Sequence, residues 1–192
     1  MALSELGITR FISSIKPSDG STEADVLALH YDNSRDSYLR DFTPRFARFR
    51  KKLALVGQDL VTNWAYTYAY PSDCLRVYML PIAGIREPRL DQSVSYEKAN
   101  LDGSIVIHTD QEDAEIIYTA RVTDTEMFDP MVTMAIANLL GSRAGMPLTA
   151  NGAIANNLLQ AYYALASNAC AADLNESNPG PPPMSATEAS RL

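Results

Sequence analysis

The 192-residue sequence has few of the residues on which redox, metal and membrane functions depend. It contains two cysteines and two histidines, and Cys74 and Cys170 match no paired-cysteine metal spacing, so we interpret both as reduced thiols. No stretch approaches the roughly 18 consecutive apolar residues of a membrane span. The first residues, "MALSELGITRF", carry neither a basic lead nor a continuous apolar run. We therefore expect no targeting signal and synthesis in the cytoplasm.

Positive charge is also scarce. The chain has 16 Lys and Arg against 23 Asp and Glu, and its formal net charge of −7 argues against a protein whose overall field captures nucleic acid. Its hydrophobic content of 46% is ordinary for a soluble globular protein. The length suits one well-buried domain.

The basic residues that are present concentrate between residues 35 and 52. This segment has a net charge of +5, whereas the remainder of the chain carries −12. A basic helix of this kind could touch DNA phosphates. We favour a solvated face, or charge pairing to an acidic neighbour, because the spacing has no base-reading or helix-turn-helix character. The segment's Lys and Arg residues are Arg35, Arg40, Arg45, Arg48, Arg50, Lys51 and Lys52.

Apolar residues at three- and four-residue steps predict helices in the N-terminal quarter. The first covers residues 3–15, and a second, capped by Ser21 or Thr22, continues to about residue 41. The pair Thr43-Pro44 predicts a further helix start. The residues expected to face inward on the second and third helices are Leu27, Tyr31, Ser34, Tyr38, Phe42, Phe46, Phe49 and Leu53.

From Gly57 the apolar period changes to two, which predicts a small, mostly antiparallel sheet. Its clearest strand reads "NWAYTYAYPSDCLRVYML", with Trp64, Tyr66, Tyr68 and Tyr70 on one face. That face could pack on a core, which we favour, or serve as a subunit interface or a stacking platform. We interpret residues 71–73, Pro-Ser-Asp, as a hairpin corner. Further strands are predicted at residues 75–80, 93–97, 104–108 and 114–122.

Two helices are predicted after the strands, one opened by Asp129-Pro130 and one over residues 151–174. The predicted fold class is therefore α+β, a helical bundle with an inserted small antiparallel β subdomain and a flexible C-terminal tail. The boundaries are 1–56 for the N-terminal bundle helices, 57–123 for the β subdomain and 124–174 for the C-terminal bundle helices. Residues 175–192 form the Pro-rich extended tail.

Residues suited to catalysis are sparse. Neither His30 nor His108 lies in a recognisable metal or triad motif. Asp124, Glu126 and Asp129 form an acidic cluster in which two carboxylates could act as the acid and base of glycoside hydrolysis. Helix capping explains Asp129 equally well. We expect no enzyme activity, no catalytic or metal-binding residues and no cofactor.

Four pieces of the sequence, in order and spacing, resemble a known family. They are "DGSTEADVLALHYDNSRDSYLRDF", "ARFRKKLAL", "WAYTYAYPSDCLRV" and "IYTARVTDTEMFDPMVTMAIANLLGSRAGMPLTAN". The combination is a Tyr-x-x-x-Arg-Asp helix, a Tyr-x-Tyr-Pro-x-Asp-Cys-Leu-Arg block and a Thr-Asp-x-x-x-Phe-Asp-Pro helix start. It resembles the head-to-tail adaptors of short-tailed bacteriophages, also called tail tubular protein A, over residues 3–172. Family members often carry Trp at the position of Thr43-Pro44, so the local structure of the family is not carried over to residues 42–48 of this chain.

The resemblance implies a structural protein of the virion, located at the head–tail junction and made in the host cytoplasm. About twelve copies would form a ring between the capsid portal and the tail nozzle. Genome DNA would pass through the ring during ejection without sequence-specific binding, and tail fibres or spikes could attach. The alternatives are a tail-associated peptidoglycan or polysaccharide hydrolase and a nucleic-acid-binding module.

Two groups of residues are candidates for contacts in such a ring. The subunit-interface candidates are Trp64, Tyr66, Tyr68, Arg45 and Arg48, because aromatic residues and Arg are enriched at interfaces. The portal-docking candidates are Pro179, Pro181, Pro182 and Pro183, because prolines keep a segment extended and reduce the entropy lost on docking.

Overall fold

A computed structural model of the protein describes residues 1–86 and 88–176. Within these residues the fold is mixed α+β, with four α-helices and two antiparallel sheets. The helices are α1 (Ala2–Glu5), α2 (Thr22–Phe42), α3 (Pro130–Thr149) and α4 (Gly152–Asn175). The strands are β1 (Arg48–Lys52), β2 (Leu55–Val61), β3 (Trp64–Ala69), β4 (Cys74–Met79), β5 (Tyr96–Leu101), β6 (Ser104–Thr109) and β7 (Glu115–Ala120).

The three long helices begin where the sequence predicts, because a polar side chain caps each first turn. Ser21 Oγ accepts a hydrogen bond from the Ala24 amide at 3.2 Å. Asp129 caps α3 in front of Pro130, and Asn151 caps α4 by accepting from two amides. These caps satisfy amides that have no partner inside the helix.

The predicted first helix is wrong beyond its first turn. Gly7 has a φ of 73°, a left-handed conformation that glycine adopts without steric cost. Its amide donates to the Ser4 carbonyl at 3.0 Å, and the Ile8 amide donates to the Leu3 carbonyl at 2.9 Å. This pair of hydrogen bonds is a Schellman motif, which ends a helix. The chain then continues without a helix until α2.

The predicted third helix is also wrong. Thr43 ends α2 with a φ of 46°, and after one 3₁₀ turn, Arg45–Ala47, the chain enters β1. β1 pairs antiparallel with β7, from Arg48 opposite Thr119 to Lys52 opposite Glu115. A backbone ladder to a strand more than sixty residues away in sequence therefore decides the conformation of the basic segment.

The seven strands form two sheets instead of one. The first has the order β1-β7-β4 and the second the order β2-β3-β6-β5. Because β3 and β4 belong to different sheets, residues 71–73 connect the sheets, and the predicted hairpin at this point is wrong. The predicted strand at residues 93–97 lies instead at β5.

The buried side chains form three clusters. One lies among α2, α3 and α4, a second lies between the two sheets, and a third holds α1 against the long helices. The main members of the cluster among the long helices are Tyr38, Leu39, Val132, Leu139 and Tyr162. Those of the cluster between the sheets are Tyr68, Leu80, Ile107, Ile116 and Tyr118. Those of the cluster around α1 are Leu3, Leu6, Leu27, Leu140 and Leu158.

A polar junction joins the helices to the three-stranded sheet. The Asp36 carboxylate accepts from Arg35 at 2.8 Å and from Arg121, just after β7, at 2.8 Å. The Arg121 amide donates to the Asp73 carbonyl at 2.7 Å, and the Tyr118 hydroxyl donates to the Asp73 carboxylate at 3.1 Å. Charge-assisted hydrogen bonds of this length are the stronger ones in proteins.

We expect Asp36→Asn to lower the free energy of unfolding by about 1–3 kcal/mol, because it weakens hydrogen bonds to two guanidinium groups. Urea unfolding measures the loss. Asp41→Asn is the matched control on the same helix, since Asp41 is exposed and forms no salt bridge within the described residues. Equal unfolding midpoints for the two variants would contradict this role of the junction.

Candidate interaction surfaces

The aromatic face of β3 is mostly part of the core between the sheets. Tyr68 is 2% exposed, and its hydroxyl donates to the Gln111 carbonyl at 3.0 Å. Tyr66 and Tyr70 pack against the same cluster, and the rings of Tyr66 and Tyr68 stack with centroids 6.3 Å apart. The preferred core interpretation is thus confirmed for Tyr68, whose side chain leaves almost no surface for a neighbouring subunit.

Trp64 lies at the rim of this face and is half-buried. Its indole Nε1 donates to the Glu97 carboxylate on β5 at 2.8 Å. The amide of the next residue, Ala65, donates to Asp110 at 3.1 Å. Trp64 and Tyr66 therefore retain partly exposed aromatic surface beside two carboxylates, a combination suited to a polar, Arg-bearing partner surface.

The two arginine candidates have different surroundings. The Arg48 guanidinium lies 4.4 Å from the centroid of the Tyr78 ring and donates to the Thr43 carbonyl at 3.4 Å. Arg48 therefore packs within the chain. Arg45 is exposed, and its side chain forms no salt bridge within the part of the chain that is described. Only its backbone amide is engaged, with Asp173 at 3.1 Å.

Most other charges of the basic segment are paired inside the chain. Arg35 contacts Asp32 at 3.2 Å as well as Asp36. The remaining pairs are Arg50 with Glu115 at 2.6 Å and Lys52 with Asp113 at 2.9 Å. Three of the seven cations of the segment thus have carboxylate partners within the chain.

The residues considered for catalysis have local structural partners. His108 is buried, with its Nδ1 2.9 Å from the Thr67 hydroxyl oxygen. Asp124 accepts from the Glu126 amide at 3.0 Å, and Asp129 caps α3. Burial raises the pKa of the Cys74 thiol, which disfavours the nucleophilic thiolate. Within residues 1–86 and 88–176, no three His, Cys, Asp or Glu side chains are grouped as metal ligands.

The structure contains a large apolar groove that the sequence did not indicate. Its volume is about 1040 Å³, and it lies between the N-terminal segment and the long helices. Phe11 stands at its rim with 97% of its surface exposed. Residues 7–12 line the groove after α1 ends at Glu5, whereas the spacing of their apolar residues predicts a helix there. Its apolar lining includes Leu3, Ile8, Ile12, Leu27, Phe128 and Ile136.

A second, smaller groove lies beside the last turns of α4, and we call it the end groove. Its volume is about 330 Å³. Aromatic rings from α2 and the 3₁₀ turn form one wall and α4 forms the other. The portal-docking candidates Pro179, Pro181, Pro182 and Pro183 lie outside the described residues. The groove is defined here by Tyr38, Phe42, Arg45, Phe46, Cys170 and Glu176.

No model of a known protein family matches the chain, and a comparison with curated proteins finds no match. Among the residues that the structure describes, no helix has the length and apolar content needed to cross a bilayer.

The contrast between the two arginines yields a stability prediction. We expect Arg48→Ala to lower the free energy of unfolding by about 1–2 kcal/mol, because it removes the contact with the Tyr78 ring and the hydrogen bond to the Thr43 carbonyl. Arg45→Ala, three residues away, should change it by less than about 0.5 kcal/mol. Thermal or urea unfolding of both variants tests the assignment, and an Arg48→Ala protein as stable as the parent would refute it.

Proposed function

We propose that this protein is a structural head-to-tail adaptor of a short-tailed bacteriophage, forming a ring of about twelve copies between portal and tail nozzle. The observation that carries the proposal is the packing of α2, which precedes the strands, against α3 and α4, which follow them. We interpret this arrangement as a helical bundle with an inserted β subdomain, the architecture that the sequence resemblance implies.

The positions of the motif residues support the same proposal. The Tyr-x-x-x-Arg-Asp motif supplies Arg35 and Asp36, and the Tyr-x-Tyr-Pro-x-Asp-Cys-Leu-Arg block supplies Asp73. Arg121 comes from the "IYTARV" segment. Three quoted pieces of the sequence thus meet in one junction between the helices and the sheet. Because these residues form one junction, the motifs that contain them are expected to occur together in one sequence.

The proposed mechanism is mechanical. The ring joins portal to nozzle, continues the DNA channel and offers attachment points for fibres or spikes. Trp64, Tyr66, Arg45 and Arg48 are the interface candidates that keep exposed surface in the single chain. Because Tyr68 is buried, we assign it to the stability of the chain. Contact of the prolines at 179 and 181–183 with the portal remains part of the proposal.

Electron microscopy of the purified protein mixed with its cognate portal tests the function. We expect portal rings capped by a second ring, and portals that stay bare at micromolar protein would reject the adaptor function. Incubation with peptidoglycan or capsule addresses the hydrolase alternative, because released reducing ends would establish enzyme activity. In that case the Asp124 and Asp129 carboxylates would be the first candidates for the catalytic acid and base.

Assembly of the ring should depend on the portal. Each chain carries −7, so about twelve copies in a closed ring repel one another until portal contacts compensate. We expect the isolated protein to be mainly monomeric in dilute solution and to form rings when portal is added. Light scattering measures both states, and a stable ring in dilute solution without portal would rule out templated assembly.

The DNA channel of the assembled ring should be acidic or neutral. Each phosphate bound by Lys or Arg would slow a sliding genome, and the chain outside residues 35–52 carries −12. We therefore expect Arg45, Arg48 and Lys51 to face a neighbouring subunit or the outside. A map of the ring in which these three residues line the lumen would overturn this prediction.

A further inference from the structure

The end groove has the chemistry of a proline-binding surface. Phe42 stacks on Tyr38 at 5.3 Å between ring centroids and meets Tyr162 edge-on at 5.9 Å. Phe46 is held against Phe128 at 5.6 Å. Fixed aromatic walls of this kind bind polyproline segments, because the extended proline helix is preformed and loses little entropy on docking.

Arg45 supplies hydrogen-bond donors to the groove, whose lining also includes Asp129, Asp173 and Glu176. It lines the groove, and its guanidinium forms no salt bridge within the described ranges. A polyproline helix makes no internal hydrogen bonds, so its carbonyl groups need external donors. A guanidinium group offers five N–H donors in a planar fork. Arg45 can therefore hold the backbone of a proline segment while the aromatic wall holds its rings.

The described part of the chain ends at this groove, and a proline-rich sequence follows. Glu176, the last described residue, lines the groove and is followed by "SNPGPPPMSATEASRL". The dipeptides Asn-Pro and Pro-Gly at residues 178–180 are turn-forming. Pro181, Pro182 and Pro183 follow within seven residues of Glu176, which is at most about 22 Å at roughly 3.1 Å per residue.

We propose that residues 181–183 of the same chain dock in the end groove. Proline rings pack on Phe42 and Phe46, and Arg45 donates to the proline carbonyls. This contact is independent of the adaptor function, since it concerns the isolated chain. If the tail also binds a portal, it must first leave the groove.

Alkylation of Cys170, which lines the groove, tests the proposal in the full-length chain. The background is Cys74→Ser, so that a maleimide reports on Cys170 alone. Replacing Pro181, Pro182 and Pro183 together by serine should raise the alkylation rate about tenfold if the groove is occupied nine-tenths of the time. Adding a peptide of residues 177–192 to this variant should slow the reaction again.

Three further measurements make the outcome decisive. Replacing residues 185–187 by glycine is the matched control and should leave the rate unchanged. Arg45→Ala in the otherwise intact chain should accelerate the alkylation, because it removes the hydrogen bonds that hold the proline segment in the groove. Equal rates with and without the three prolines would overturn the proposal. Protection that grows with protein concentration would overturn its same-chain form, because the occupant would then be the tail of a second copy.

Discussion

The arrangement of helices and sheets depends on the carboxylate of Asp36. It lies on α2 and accepts from Arg35 on the same helix and from Arg121 at the end of β7. Arg35 is only 5% exposed, so its charge requires carboxylate partners to be tolerated at this depth. The backbone of Arg121 then contacts Asp73, where the chain passes from one sheet to the other. The Asp36 carboxylate thus links α2 to the end of the central strand β7 and, through Arg121, to the connection between the sheets.

This constraint also explains what the basic segment does. β7 is the central strand of its sheet and pairs with β4 on one side and β1 on the other. β1 contains "RFRKK", so its cations lie beside the acids that flank β7, as in the pair Arg50–Glu115. Paired charges at a sheet edge also discourage unwanted strand pairing with other molecules. Arg35, Arg50 and Lys52 of the basic segment are therefore paired inside the chain, whereas Arg40, Arg45 and Lys51 are exposed and form no salt bridge within the described residues.

The two grooves share a wall. Residues of the short turn before α3 line both: Thr125 and Phe128 face the large apolar groove, whereas Met127 faces the end groove. Phe128 also contacts Phe46, whose ring belongs to the end groove. The two grooves have no lining residue in common, but a segment that occupies either one packs against this short turn. In an assembly, contacts made at the N-terminal segment and at the end of α4 would meet the same structural element, although they involve distant parts of the sequence.

The parts of the fold that could be predicted from the sequence are those set by neighbouring residues. Three helix starts could be predicted from their capping residues, Ser21, Asp129 and Asn151, because a cap contacts only the first turn of its own helix. The failures have two physical causes. The apolar spacing after Leu3 matches a helix, but Gly7 adopts a left-handed conformation, and a single residue outweighs a periodic pattern. Residues 45–52 contain mostly good helix formers, and pairing of β1 with β7 overrides this local preference. The same limit applies to the sites: the aromatic alternation locates Tyr68 in the core, whereas both grooves arise between segments far apart in sequence, where local spacing carries no signal.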